Sequence, residues 1–230
     1  MNTLDARSYL AHLRTNGVVS PKLGDTVVLA LHPAATARRS RSHPSPFGSV
    51  QLPRRGVPIP TVTPIGPGPA VAAMTVDLLA ESGVGTIVGI GIASHVDRDG
   101  QPPPRAVVIG AAISDESVSA RYDERLLADP ALTRKLLDTV EHADVGIAYT
   151  TAAPFRVDTS KVMASAALVI EMEASALFAA GNRRGVKVGL VVVPSDRTAA
   201  DHWVPLPAGP VAESVGAIAN RIRATLVEDQ

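Results

Sequence analysis

Short, unbroken apolar runs alternate along this chain with stretches of helical period, and that alternation limits the folds open to it. "TVVLAL" (Thr26–Leu31) is the first run, ending at "HP". "VGTIVGIGIAS", "RAVVIGAAIS", "DVGIAYTTA" and "KVGLVVVPSD" follow in order, and "TVTPIGPGP" reads as a further strand entering a Gly/Pro turn. Between them lie "AVAAMTVDLLAESG", "ALTRKLLDTVEHA" and "EASALFAAGNRRG", with "PVAESVGAIANRIRATLVED" closing the chain. These have the spacing of helices, and Gly83 and Gly185 read as C-terminal caps. Continuously apolar strands separated by helices indicate an α/β fold, a twisted, mostly parallel central sheet flanked by helices on both faces. Nothing divides residues 1–230, so one domain is expected. "ATARRSRSHPSPFGSVQLPRRGVP" has no period and is rich in Pro, Ser and Arg; it reads as a long mobile loop.

Composition removes several functions. The formal charge is zero, which gives no electrostatic reason to expect nucleic acid or an anionic membrane. With no cysteine there is no thiolate nucleophile, disulfide or cysteine-bound zinc. No apolar stretch is long enough for a bilayer, and "MNTLDARSYLAHLRTNG" has no signal-peptide core, so a cytoplasmic protein is expected. No metal or organic cofactor is indicated, because neither clustered ligands nor a dinucleotide fingerprint occurs. Aromatics are only 3% of residues, so the core must be built from Ala, Val, Leu and Ile.

In folds of this kind ligands bind beyond the carboxyl ends of the strands. His32, Gly66–Pro69, Ser94, His95, Phe155, Ser195 and Asp196 fall there. "VIEMEASALF" adds two acids, Glu171 and Glu173, between apolar runs. Acids in the first turn of a helix are ordinary, because the dipole favours them there. A carboxylate directed into a cavity has another use, since it accepts two hydrogen bonds at once and a sugar diol donates two.

"EMEASALFAAGNRRGVKVGLVVVPSD" resembles the hallmark segment of the nucleoside phosphorylase and nucleosidase superfamily: E-M-E-A-x-A, a helix, a strand, then S-D. "GPGPAVAAMTVDLLAESGVGTIVGIGIAS", "VVIGAAISDESVSARY", "TTAAPFRVD" and "HLRTNGVVSPKLGDTVVLALHP" are similar to its other segments, so the likeness covers nearly the whole chain. The resemblance implies that Glu173 holds the ribose 2′- and 3′-hydroxyls, Met172 packs under the sugar, and Glu171 supports that site. It implies that Phe155 stacks on the base and that Asp196 protonates it. Ile92 and Ala93 would contact substrate, and His12 would be lent to a neighbouring subunit of a homo-oligomer, dimer to hexamer. Asp196 also points to purine-like bases, because uridine-specific members do not use an Asp here. The chemistry suits these residue types: glycosidic cleavage builds positive charge on the sugar and negative charge on the base. The alternative for Asp196 is the cap of a following turn, since "SDRTAADHW" is turn-rich.

The anion ligands of that superfamily are missing. Its G-D-P-x-R turn is replaced by "LHPAA", with Leu31, His32 and Ala35 in place of Gly, Asp and Arg. Gly89 stands where an Arg is expected and Ile92 where a hydroxyl is expected. Phosphate beside these groups would be buried without donors. Three readings follow. One is a phosphate-independent nucleosidase, with His32 or His95 as a base for water, unless these only cap or fill. Another is a phosphorylase whose anion site is rebuilt from the Arg38–Arg55 loop, a run that otherwise reads as a solvated basic surface. The third is a nucleoside-binding or repurposed protein on the same fold.

Overall fold

The computed structural model describes residues 5–18, 21–37, 41–53 and 59–227. Among these residues ten strands join in one sheet. In chain order they are β1 (Thr26–Ala30), β2 (Ser42–Ser45), β3 (Gly48–Gln51), β4 (Thr61–Pro64), β5 (Thr86–Val96), β6 (Ala106–Asp115), β7 (Ala143–Thr151), β8 (Val169–Glu171), β9 (Lys187–Thr198) and β10 (Trp203–Pro205). The helices are α1 (Ala6–Thr15), α2 (Pro69–Glu81), α3 (Pro130–Thr139), α4 (Thr159–Ala164), α5 (Ala174–Arg184) and α6 (Ala208–Val227).

The long central pairings are parallel: β1 with β5, β5 with β9, and β6 with β7. Antiparallel joins at β5–β8, β6–β9, β9–β10 and β2–β3–β4 make the sheet mixed. The order β9-β6-β7-β8-β5 returns to β9, so these five strands close into a barrel. From β5 the sheet continues outward through β1 and β4.

Both faces of the strands are buried, which accounts for their unbroken apolar runs. Val27, Leu29 and Ile87 pack with Val76, Leu79 and Leu177 of α2 and α5. Their neighbours Val28, Ala30 and Val88 face the other way, onto Leu136 of α3 and Val215 and Ile222 of α6. The period of two thus feeds two cores from one strand. Pro69 opens α2, and Gly185 ends α5 in the left-handed conformation at φ 67°.

One expectation needs correction. The segment read as a long loop contains the hairpin β2–β3, which adds to the sheet beside β4. Pro44 disguises it, but β2 is the outermost strand, where a missing N–H costs no ladder bond. Phe47 at the turn and Val50 are fully buried. The polar N-terminal stretch also forms a helix, α1, capped by Asp5 through the N–H of Ser8 at 2.7 Å and anchored by buried Leu10. Among the described residues no helix is long and apolar enough to cross a membrane.

Candidate functional site

A cavity of about 660 Å³ opens at the carboxyl ends of the strands, lined by Leu31, Ile92–Ser94, Thr151, Phe155, Glu171–Glu173, Ser195, Asp196 and Trp203 among others. A groove of about 740 Å³ lies at the opposite ends of β1, β5 and β9, beside Lys22, Asp25 and Lys187, and holds none of the expected site residues.

Glu171 ends β8 rather than opening the helix. It is buried, and its carboxylate bridges two elements. Thr150 Oγ1, its register partner on β7, donates to Oε1 at 2.5 Å. The N–H groups of Glu173 and Ala174 donate to Oε2 at 2.6 and 2.7 Å. Glu171 therefore caps α5 from outside and locks the strand–helix corner. Burial, and then the neighbouring Glu173, push its carboxyl up to about 7, against the pull of Thr150 and the two N–H groups.

Glu173 is the N-cap residue of α5 but gives its side chain to another helix. Its Oε1 accepts the N–H of Gly68 at 2.7 Å, at the start of α2. Gly68 sits at φ +105°, a conformation that needs glycine. The positive end of α2 therefore meets this carboxylate. Burial raises the Glu173 carboxyl, opposed by the N–H groups of Gly68 and Met172. Gly68 gives this side chain its one hydrogen bond of normal geometry among the described residues, so the group has acceptor capacity left toward the cavity it lines.

Asp196 lies within β9, which runs on to Thr198, so it is held by a strand ladder rather than a turn. Ser195 Oγ donates to its Oδ1 at 2.6 Å, and Trp203 Nε1 donates to its Oδ2 at 2.7 Å. Ser94 and Thr198 hydroxyls meet at 2.7 Å beside it. Phe155 is 97% exposed at the cavity rim, with a free ring face. Ile92, Ala93 and Met172 also line the cavity.

The histidines are elsewhere. His32 does not line the cavity; its Nδ1 accepts the N–H of Ala34 at 3.1 Å and caps the short turn after β1, and burial lowers its pKa. His12 is exposed on α1, 3.3 Å from Asn16 Nδ2. His95 is buried in β5 outside the lining, with no hydrogen-bond partner for Nδ1 among the described residues.

Apolar packing fills the positions where the resemblance implied anion ligands. Leu31 lies over β5: a Cβ on Gly91 would stand 3.1 Å from Leu31 Cβ, and one on Gly89 would stand 2.9 Å from Leu190 Cδ1 and 3.7 Å from Leu31 Cδ1. A side chain at residue 89 would therefore have to displace the Leu190 methyl. Among the described residues no Arg, Lys or His lines the cavity. Arg38, Arg54 and Arg55 of the basic loop lie outside the described residues. No cluster of three or more His, Asp or Glu able to hold a metal occurs among the described residues.

Thr150 and Trp203 escaped the sequence reading. The only tryptophan of a chain poor in aromatics, seven residues after Asp196, was the one available signal.

This strand-end cavity brings together the paired glutamates of the β8–α5 corner and Asp196 of β9, on the far side of β5. The phosphorylase superfamily profile matches residues 13–227, and the chain belongs to that superfamily. Among solved structures it is similar to purine nucleoside phosphorylase from Toxoplasma gondii in complex with immucillin-H, with a TM-score of 0.73 and 16% identity over 91% of this chain and 94% of that one. It is similar also to AMP nucleosidase from Bacteroides thetaiotaomicron VPI-5482, with a TM-score of 0.72 and 16% identity over 99% and 100%. No curated protein sequence gives a significant match.

Proposed function

We propose that the protein hydrolyses the N-glycosidic bond of an uncharged, purine-like nucleoside, with water in place of phosphate. One observation carries this: Glu173 and Asp196 line the same cavity, whose described walls hold Leu31 and Ile92 and no cation. A phosphate there would be desolvated beside Glu171, Glu173 and Asp196 with no cation to balance its charge, an unfavourable exchange by several kcal/mol. The same argument disfavours a nucleoside 5′-phosphate and favours a free nucleoside.

The geometry supports a role for each residue. Glu173 keeps one oxygen on Gly68 and offers the other to the ribose diol. As the bond to the base breaks, positive charge grows on the sugar, and carboxylates beside it stabilise that charge. The departing base takes a proton from Asp196, and water adds hydroxide to the sugar carbon and returns a proton to the carboxylate. The products are free base and ribose. Phe155, exposed at the rim, is placed to cover the base. His32 has no part in this scheme, because it caps a turn outside the cavity. The homo-oligomer and the lent His12 that the superfamily suggests belong to the same proposal.

The test is to incubate pure protein with purine and pyrimidine nucleosides, with and without phosphate, and follow free base by chromatography. Equal release in both supports the proposal. Release only with phosphate would overturn it in favour of a rebuilt anion site. No release in either would point to a binding protein.

A further inference from the structure

We propose that Trp203 is a positioning residue for Asp196: its indole N–H fixes which carboxylate oxygen carries the catalytic proton. The inference rests on the hydrolytic reading above.

The hairpin geometry places it. β10 pairs antiparallel with β9, with Trp203 opposite Thr198 and Pro205 opposite Asp196. Asp196 and Thr198 are two residues apart and share a face, so Trp203 and Asp196 are diagonal neighbours, a spacing an aromatic side chain spans. The contact is Nε1 to Oδ2 at 2.7 Å.

The indole nitrogen donates and cannot accept. Oδ2 is therefore held as an acceptor, and a proton on Asp196 must reside on Oδ1. Oδ1 faces Ser195 Oγ at 2.6 Å. A hydroxyl both donates and accepts, so Ser195 can receive that proton's hydrogen bond and turn its own hydrogen to the Ala93 carbonyl, 3.4 Å away. Ser195, Ala93 and Trp203 all line the cavity. In the protonated state both oxygens thus have partners, and the proton is confined to Oδ1, which delivers it when that hydrogen turns from Ser195 to the base. No other described group competes for Oδ2.

Trp203 has a second surface. The ring is 61% exposed, so its face is open to a stacked base. Trp203→Phe separates the two roles, because it keeps an aromatic face and removes only the donor. The expected result is a kcat lowered about tenfold with KM nearly unchanged, at the lower end for a hydrogen bond to a charged group because the site is partly wet. The pH–rate profile should move as well. Trp203→Leu should also raise KM. In an Asp196→Asn background, Trp203→Phe should cost nothing further, because the tryptophan acts through that carboxylate. A Trp203→Phe enzyme with wild-type kcat and pH profile would overturn the inference and leave Trp203 as a stacking surface. An equal further loss in the Asp196→Asn background would overturn it too, as would a purely structural loss seen as a lowered melting temperature. Wild-type protein that releases no base would instead sink the hydrolytic reading itself, a different and separately visible failure.

Discussion

At the scale of single residues the site depends on where two glutamates place their oxygens. Glu171 is committed to the chain, through Thr150 and the start of α5. Glu173 is committed on one side only. Replacing Glu173 with Ala should therefore lower kcat/KM by about 10²–10³ while leaving the fold standing, as kinetics and circular dichroism together would show. Glu171→Ala should instead unfold the corner. The carboxyl of Glu171 titrates near 7 in the folded chain, against 4.5 as its ordinary value. Between these the native state binds more protons than the unfolded state, so its contribution to stability is full below about pH 4.5 and is lost as pH rises toward 7. Melting temperature against pH should fall across that window in the wild type and fall less steeply in Glu171→Gln. The sequence brought Glu171, Met172 and Glu173 together because a strand end and a helix start sit side by side in the chain, and Asp196 came from the family motif; all four line the one cavity. It could not place His32 or Trp203, whose positions depend on a turn and a hairpin that bring distant backbone into register.

At the scale of elements, the long apolar strands and the periodic helices were legible, because both faces of the sheet are buried and the pattern leaves no other arrangement. The hairpin β2–β3 and helix α1 were not legible. The first carries Pro and Ser at a sheet edge, and the second has a single buried side chain, Leu10, so neither has the apolar period of a core element. The packing of α5 on β9 gives a test at this scale. Gly181 lies in the helix, and a Cβ there would stand 2.5 Å from Val188 Cγ2 and 3.1 Å from the Val186 carbonyl oxygen. Helix propensity favours Ala over Gly by about 1 kcal/mol. A stiff β-branched neighbour and a backbone oxygen cannot yield, so overpacking of about 1–3 kcal/mol should prevail. Gly181→Ala is expected to melt several degrees lower; a higher melting temperature would show that the interface relaxes.

At the scale of the whole molecule, ligands should report the site through global stability. A ligand that binds only the folded chain raises its melting temperature. A purine nucleoside should do so here, and inorganic phosphate should not, because the described cavity offers it acids and no cation. A phosphate-induced rise would return attention to the basic loop. The closed ring of five strands has a consequence of its own for the birth of the protein. β5 pairs along its length with β9, about a hundred residues later, and both belong to the barrel and to the open sheet. At ribosomal rates of roughly 5–20 residues per second, β5 waits about 5–20 s for its partner to be made. During that interval a long apolar strand has an open edge, the state most prone to wrong pairing. Chains stopped before Lys187 should therefore aggregate rather than hold a partial fold, and the cavity comes into being only when synthesis is nearly finished.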